Sequence, residues 1–116
     1  MIFVFVSFKP RASRSPDEMR AVLRATAPKY RQIPGLIRKY FIGSPESGRA
    51  GGAYEWETLE QAKAYHDEAW RRMITETYGD DLRVEFFHQS AVADNDGGKI
   101  VYADGEVDST DYRKSA

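Results

Sequence analysis

Two helix-start signals divide this chain, and each stands between runs that read as strands. Ser15-Pro16-Asp17-Glu18 and Thr58-Leu59-Glu60-Gln61 both place a hydroxyl three residues before an acid or amide. In that spacing the two side chains cap the first free backbone N–H groups reciprocally. Pro16 also suits the first helical position. After Ser15, apolar or neutral side chains recur at Met19, Val22, Leu23, Thr26, Tyr30 and Ile33, with Arg20, Arg24 and Arg31 on the other side. This is helical spacing with one buried face. Pro28 falls inside the run, where a proline costs about 3 kcal/mol, so a kink or a restart is expected there. After Thr58, a stripe of Leu59, Ala62, Tyr65, Ala69 and Met73 predicts a second helix, widened by His66, Trp70 and Ile74.

The flanking runs are strands by composition and alternation. Ile2 to Phe8 is β-branched and aromatic, with Phe3 and Phe5 on one face and Ile2, Val4, Val6 and Phe8 on the other. Leu36 to Ile42 follows Pro34-Gly35, and Gly51 to Trp56 opens on two glycines that predict a bulge or a close backbone approach. Leu82, Val84, Phe86 and His88 alternate with Arg83, Glu85, Phe87 and Gln89. The order strand, helix, strand, strand, helix, strand predicts an α+β fold. It is the ferredoxin-like βαββαβ sandwich with an antiparallel four-stranded sheet. Its domain spans 1–92. Residues 93–116 form an extension: a linker at Asp94 to Gly98, a hairpin over Ile100 to Val107, then a frayed tail. Helices on one face leave the other face open, and a sheet this aromatic needs cover. A second copy of the chain, a homodimer, is the expected cover.

Composition removes several function classes. The chain has no cysteine, which excludes disulfides, thiolate metal sites and cysteine nucleophiles and fits a reducing, cytoplasmic setting. Net charge is -1, divided as +2 over residues 1–93 and -3 over 94–116, so no nucleic-acid partner is expected. The apolar start is too short to span a membrane and lacks a basic leader, so neither membrane nor signal peptide is expected. Of the two histidines, His66 lies beside Asp67 on a predicted helix, where neighbouring side chains diverge, so no metal site is expected.

Two short stretches resemble a known family. Pro34-Gly35-Leu36-Ile37-Arg38-Lys39 is similar to a P-G-L/F-x-x-K motif. Gly51-Gly52-Ala53-Tyr54 with Ala62-Lys63-Ala64-Tyr65 is similar to G-G-x-Y followed by A-x-A-Y. Together they resemble the YdhR-like monooxygenase family, within the dimeric α/β-barrel superfamily, over roughly residues 1–92. The resemblance implies a homodimer whose sheets face each other around a cavity. It also implies oxygen insertion into a small aromatic or polycyclic substrate without metal, flavin or haem. The haem-degrading branch of that superfamily places an asparagine near the end of the first strand and a histidine in or after the second helix. Here Ser7 stands at the first position and Met73 to Tyr78 holds no histidine.

Six residues are candidates for the site. Lys39 is expected to hold a substrate enolate or carboxylate, or to be an edge lysine that discourages strand pairing. His88 reads as a base for a phenolic substrate or as a rim histidine. Tyr54, Trp56, Phe41 and Tyr65 are the expected lining for a flat ligand, placed between the sheet and a partner's sheet, or else core. A bulge at the glycines would turn Tyr54 and Trp56 to the helix side instead. The expected function is cofactor-independent monooxygenation. The alternatives are a dimer that binds a small ligand without chemistry and a dimer whose aromatics only fill its interface.

Overall fold

A computed structural model describes residues 1–115. Strand β1 (Ile2–Pro10) leads to helix α1 (Pro16–Thr26) and a 3-10 segment (Ala27–Gln32). Strands β2 (Leu36–Gly43) and β3 (Ala50–Trp56) follow, then helices α2 (Leu59–Tyr65) and α3 (Glu68–Thr77) and strand β4 (Gly79–His88). The sheet has the order β2-β3-β1-β4, antiparallel throughout, which is the expected ferredoxin-like architecture. Both caps form: Ser15 Oγ accepts from the Glu18 N–H, and Thr58 Oγ1 accepts from the Gln61 N–H, each at 3.2 Å. At Pro28 the chain restarts as a 3-10 turn instead of continuing α1. No helix among the described residues is long and apolar enough to cross a membrane.

Register decides what each sheet face carries. Val4 opposes Tyr54 and Ile2 opposes Trp56, without interruption from Ile2 to Phe8. Because side chains alternate, all four point to one face, and that face is covered by α2 and α3. Tyr54 and Trp56 are therefore core residues beneath the helices, 3% and 1% exposed, and do not look toward a partner's sheet. The glycine pair makes no bulge. A Cβ on Gly51 would lie 1.9 Å from the Val6 carbonyl oxygen, so that glycine permits a close approach of β3 to β1. The opposite face carries Phe3, Phe5, Tyr40 and Phe87, of which Phe5, Tyr40 and Phe87 are exposed. Amid them Glu55 is buried, accepting from Gln89 Nε2 at 2.9 Å and facing Arg38 at 3.4 Å.

The second helix is not continuous. α2 ends at Tyr65, His66 leaves helical geometry, and α3 begins at Glu68. Asp67 is the reason: its carboxylate accepts the Trp70 N–H at 2.8 Å and caps a new helix. The break shifts the buried stripe to Trp70 and Ile74, while Ala69 and Met73 face outward. It also turns His66 inward, to 2% exposure.

Beyond β4, strands β5 (Ala91–Asp94), β6 (Lys99–Tyr102) and β7 (Val107–Asp108) form a separate three-stranded sheet. The stretch expected as a linker is the β5–β6 turn, closed by the Gly97 N–H donating to Asp94 Oδ1 at 2.8 Å. Asp104-Gly105 turns β6 into β7, with Gly105 at a φ of 92°.

Candidate functional site

The helix face of the sheet is only partly filled. α2 and α3 close over Trp56, Trp70 and Ile74, but α1 buries none of its residues. Between α1 and the sheet lies a cleft of about 600 Å³. Its floor is Val6, Phe8, Phe41, Gly52 and Tyr54, and its roof is Met19, Val22, Leu23 and Thr26. Trp70 and Tyr78 close one side, and the loops at Arg11 to Arg14 and Ser44 to Arg49 form the end.

Lys39 reaches into this cleft. It opposes Tyr54 across the β2–β3 pair, and Phe41 opposes Gly52. Gly52 has no side chain, so the lysine stem lies across it; a Cβ there would stand 3.0 Å from Lys39 Cε. The amine comes to rest over three rings, 3.6 Å from the centre of Tyr30, 4.2 Å from Phe41 and 4.8 Å from Tyr54. Ring faces attract an ammonium. Desolvation opposes it and draws the Lys39 pKa down to about 7. No carboxylate lies within 4 Å of the amine among the described residues. Arg11 and Arg49 at the cleft's end are held by Asp80 and Asp81, at 2.8 and 2.9 Å.

The cleft's lining contains Arg11, Arg14, Lys39 and Arg49 and no aspartate or glutamate. Burial pushes the hydroxyls of Tyr30, Tyr54 and Tyr65 above their ordinary range, so all three stay protonated and can donate. Such a space favours a flat apolar body carrying negative charge. Among the described residues no group of three or more His, Asp or Glu side chains is placed to hold a metal ion.

Of the six sequence candidates, the structure brings Lys39, Phe41 and Tyr54 together. Trp56 stands behind Tyr54, its ring parallel within 6° at 6.3 Å, and Tyr65 packs on Trp56 at 5.2 Å. Neither lines the cleft. His88 pairs with Ile2 at the far end of β1, is exposed, and is not in the cleft. Two residues that sequence reasoning placed elsewhere belong to the site. Tyr30 was on the helical stripe, but the restart at Pro28 lowers it onto Phe41, with ring centres 5.4 Å apart and nearly perpendicular. His66 supports the floor from behind. It meets the Tyr54 ring edge-on at 4.6 Å, and its Nε2 accepts from Trp56 Nε1–H at 3.1 Å. Desolvation, with the Arg71 and Lys39 charges adding to it, takes the His66 pKa down to about 3.

The model of one family, described as "Putative mono-oxygenase ydhR", matches residues 4–94. No curated protein matches the chain. Solved structures share the fold at low identity. A protein from Shewanella oneidensis is 18% identical, with a TM-score of 0.56 over 76% of this chain and 89% of its own. A Bordetella bronchiseptica protein described as a "Putative antibiotic biosynthesis monooxygenase" is 20% identical, with a TM-score of 0.52 over 76% of this chain and 95% of its own. A Deinococcus radiodurans protein described in the same words is 14% identical, at 0.56 over 81% and 97%.

Proposed function

The chain belongs to the YdhR mono-oxygenase family, and from that premise we propose that it oxygenates a small aromatic or polycyclic phenol or enol in the cleft beneath α1. The observation that carries this reading is the Lys39 amine, set among three rings in a cleft with no acidic lining residue. With a pKa of about 7, it takes a proton from the substrate and then faces the anion as an ammonium. The cation expected from sequence and the base expected at His88 thus become one residue. Phe41 and Tyr30 hold the flat body above the buried Tyr54, and α1 shields it from water.

The chemistry needs no cofactor because the substrate supplies the electrons. The electron-rich carbon of the anion bonds to one oxygen atom of dioxygen, and the terminal oxygen takes a proton to give a hydroperoxide. Breaking the O–O bond as the carbon loses its remaining hydrogen leaves a carbonyl and releases water. One oxygen atom enters the product and the other leaves in that water. The open aromatic face fits a homodimer, which leaves one cleft per protomer on the outer side.

Oxygen uptake and labelled-dioxygen incorporation with naphthols and enolisable tricyclic ketones test the proposal. Lys39→Met is expected to abolish turnover and to weaken binding of the phenolate by about 1.5–3 kcal/mol, the worth of a charged hydrogen bond. Turnover by Lys39→Met equal to the parent would refute the assignment. Binding of these compounds with no oxygen uptake would favour a ligand-binding dimer without chemistry.

A further inference from the structure

We propose that Lys39 is also a covalent capture site for carbonyl compounds, its Nζ forming an imine with aryl aldehydes that enter the cleft. The inference rests on placement. Amine reactivity needs a lone pair that is neither shared with a carboxylate nor lost in bulk water. No carboxylate among the described residues lies within 4 Å of Nζ, and the cleft lining holds no acid at all. The stem is held flat over Gly52, so the nitrogen has a defined position at mid-cleft in place of a sweeping surface lysine's range. Tyr30 and Phe41, half-buried beside the nitrogen, offer apolar surface against which an aryl group can pack. A large share of the amine is neutral at neutral pH, which supports the same reading.

The step balances without an oxidant or reductant. The nitrogen lone pair bonds to the carbonyl carbon, and the π pair moves to oxygen, which takes a proton; the nitrogen loses one. The hydroxyl then leaves as water with the nitrogen's second proton, and C=N forms. Tyr30 and Tyr54, whose rings lie against the amine and which burial keeps protonated, can donate hydrogen bonds to the departing oxygen. The activity is separate from oxygenation. A protein that forms the imine and consumes no oxygen keeps this inference and loses the other.

The test is reductive trapping with 2-naphthaldehyde and cyanoborohydride at pH 7, read by intact mass and peptide mapping. The wild-type chain carries its own controls in Lys9, Lys29, Lys63, Lys99, Lys114 and the Met1 amine. An ordinary lysine is almost wholly protonated at this pH, so adduct at Lys39 is expected to exceed that at each other lysine by at least about 10-fold. Lys39→Arg is expected to remove that adduct while leaving Met1 labelling unchanged. Adduct spread evenly over the lysines, or confined to Met1, overturns the proposal. Because mapping is done on the wild-type chain, the result does not depend on how the variant folds.

Discussion

His66 should make this fold acid-sensitive by an amount that can be worked out. In the native state the ring is buried among Tyr54, Trp56, Tyr65 and Trp70, and it titrates only near pH 3. In the unfolded chain a histidine titrates near 6.5. The native pKa is the lower of the two, so the unfolded chain binds the proton first as pH falls. Stability from this group is therefore intact above about pH 6.5 and lost progressively between about 6.5 and 3. At pH 5 the unfolded state is about 97% protonated at this site, which lowers stability by about 2 kcal/mol relative to pH 7.5. His66→Gln removes the titration while leaving a carbonyl that can accept from Trp56 Nε1–H. Urea melts of both proteins at pH 7.5 and pH 5 isolate the effect, since all carboxylates are common to both. The parent should lose about 2 kcal/mol more than the variant across that interval. Parallel losses would mean that His66 is solvated or charged in the native state and not buried in an aromatic cluster.

The two adjacent glycines should respond differently to alanine. Gly51→Ala sets a Cβ 1.9 Å from backbone and should cost more than about 3 kcal/mol in a melt. Gly52→Ala meets the movable end of Lys39 first, at 3.0 Å, then the Tyr54 ring at 3.2 Å and the Tyr40 carbonyl oxygen at 3.3 Å, none of them under 3.0 Å. It should cost under about 1 kcal/mol, yet raise the Lys39 pKa, measured by NMR, as the amine leaves its rings. Phe87→Glu places a charge beside Phe3, 6.3 Å away across the open face, and should shift a homodimer toward monomer in sedimentation; an unchanged sedimentation coefficient would place the interface elsewhere.

Alternation and capping signals carried most of the fold, and they failed where one residue changes direction. The β1 alternation placed Ile2, Val4 and Val6 on one face correctly, but which face the helices cover depends on both crossovers together. Tyr54 and Trp56 follow from pairing with Val4 and Ile2, a register that sequence period alone does not fix. The α2–α3 break was hidden because Asp67 and Glu68 read equally well as the solvated side of a helix and as a cap with an acidic first turn. That misreading concealed His66. His88 does continue the face of Leu82, Val84 and Phe86, but it lies opposite Ile2 at the sheet's end, beyond the cleft. Lys39 and Phe41 were legible as a pair two residues apart on one face. Their third partner, Tyr30, needed the 3-10 restart at Pro28.

α1 shows how the cleft should respond to a ligand. The helix has 11 residues, a length at which an isolated helix is marginal in water, and none of them is buried. Its apolar face of Met19, Val22, Leu23 and Thr26 looks into the cleft instead of onto the sheet. Helical stability in proteins comes chiefly from packing such a face, so α1 is held mostly by its capping box and by the chain at either end. Its amides should open at low free energy and exchange quickly. A flat ligand in the cleft supplies the missing contact, and at 100 times its dissociation constant it stabilises the bound form by about 2.7 kcal/mol. Hydrogen exchange with and without a naphthol should therefore slow most at Met19 to Thr26. It should change little in β5 to β7, none of whose residues line the cleft. Slowing confined to the exposed sheet face at Phe5 and Phe87 would put the ligand between protomers, and the cleft beneath α1 would not be the site.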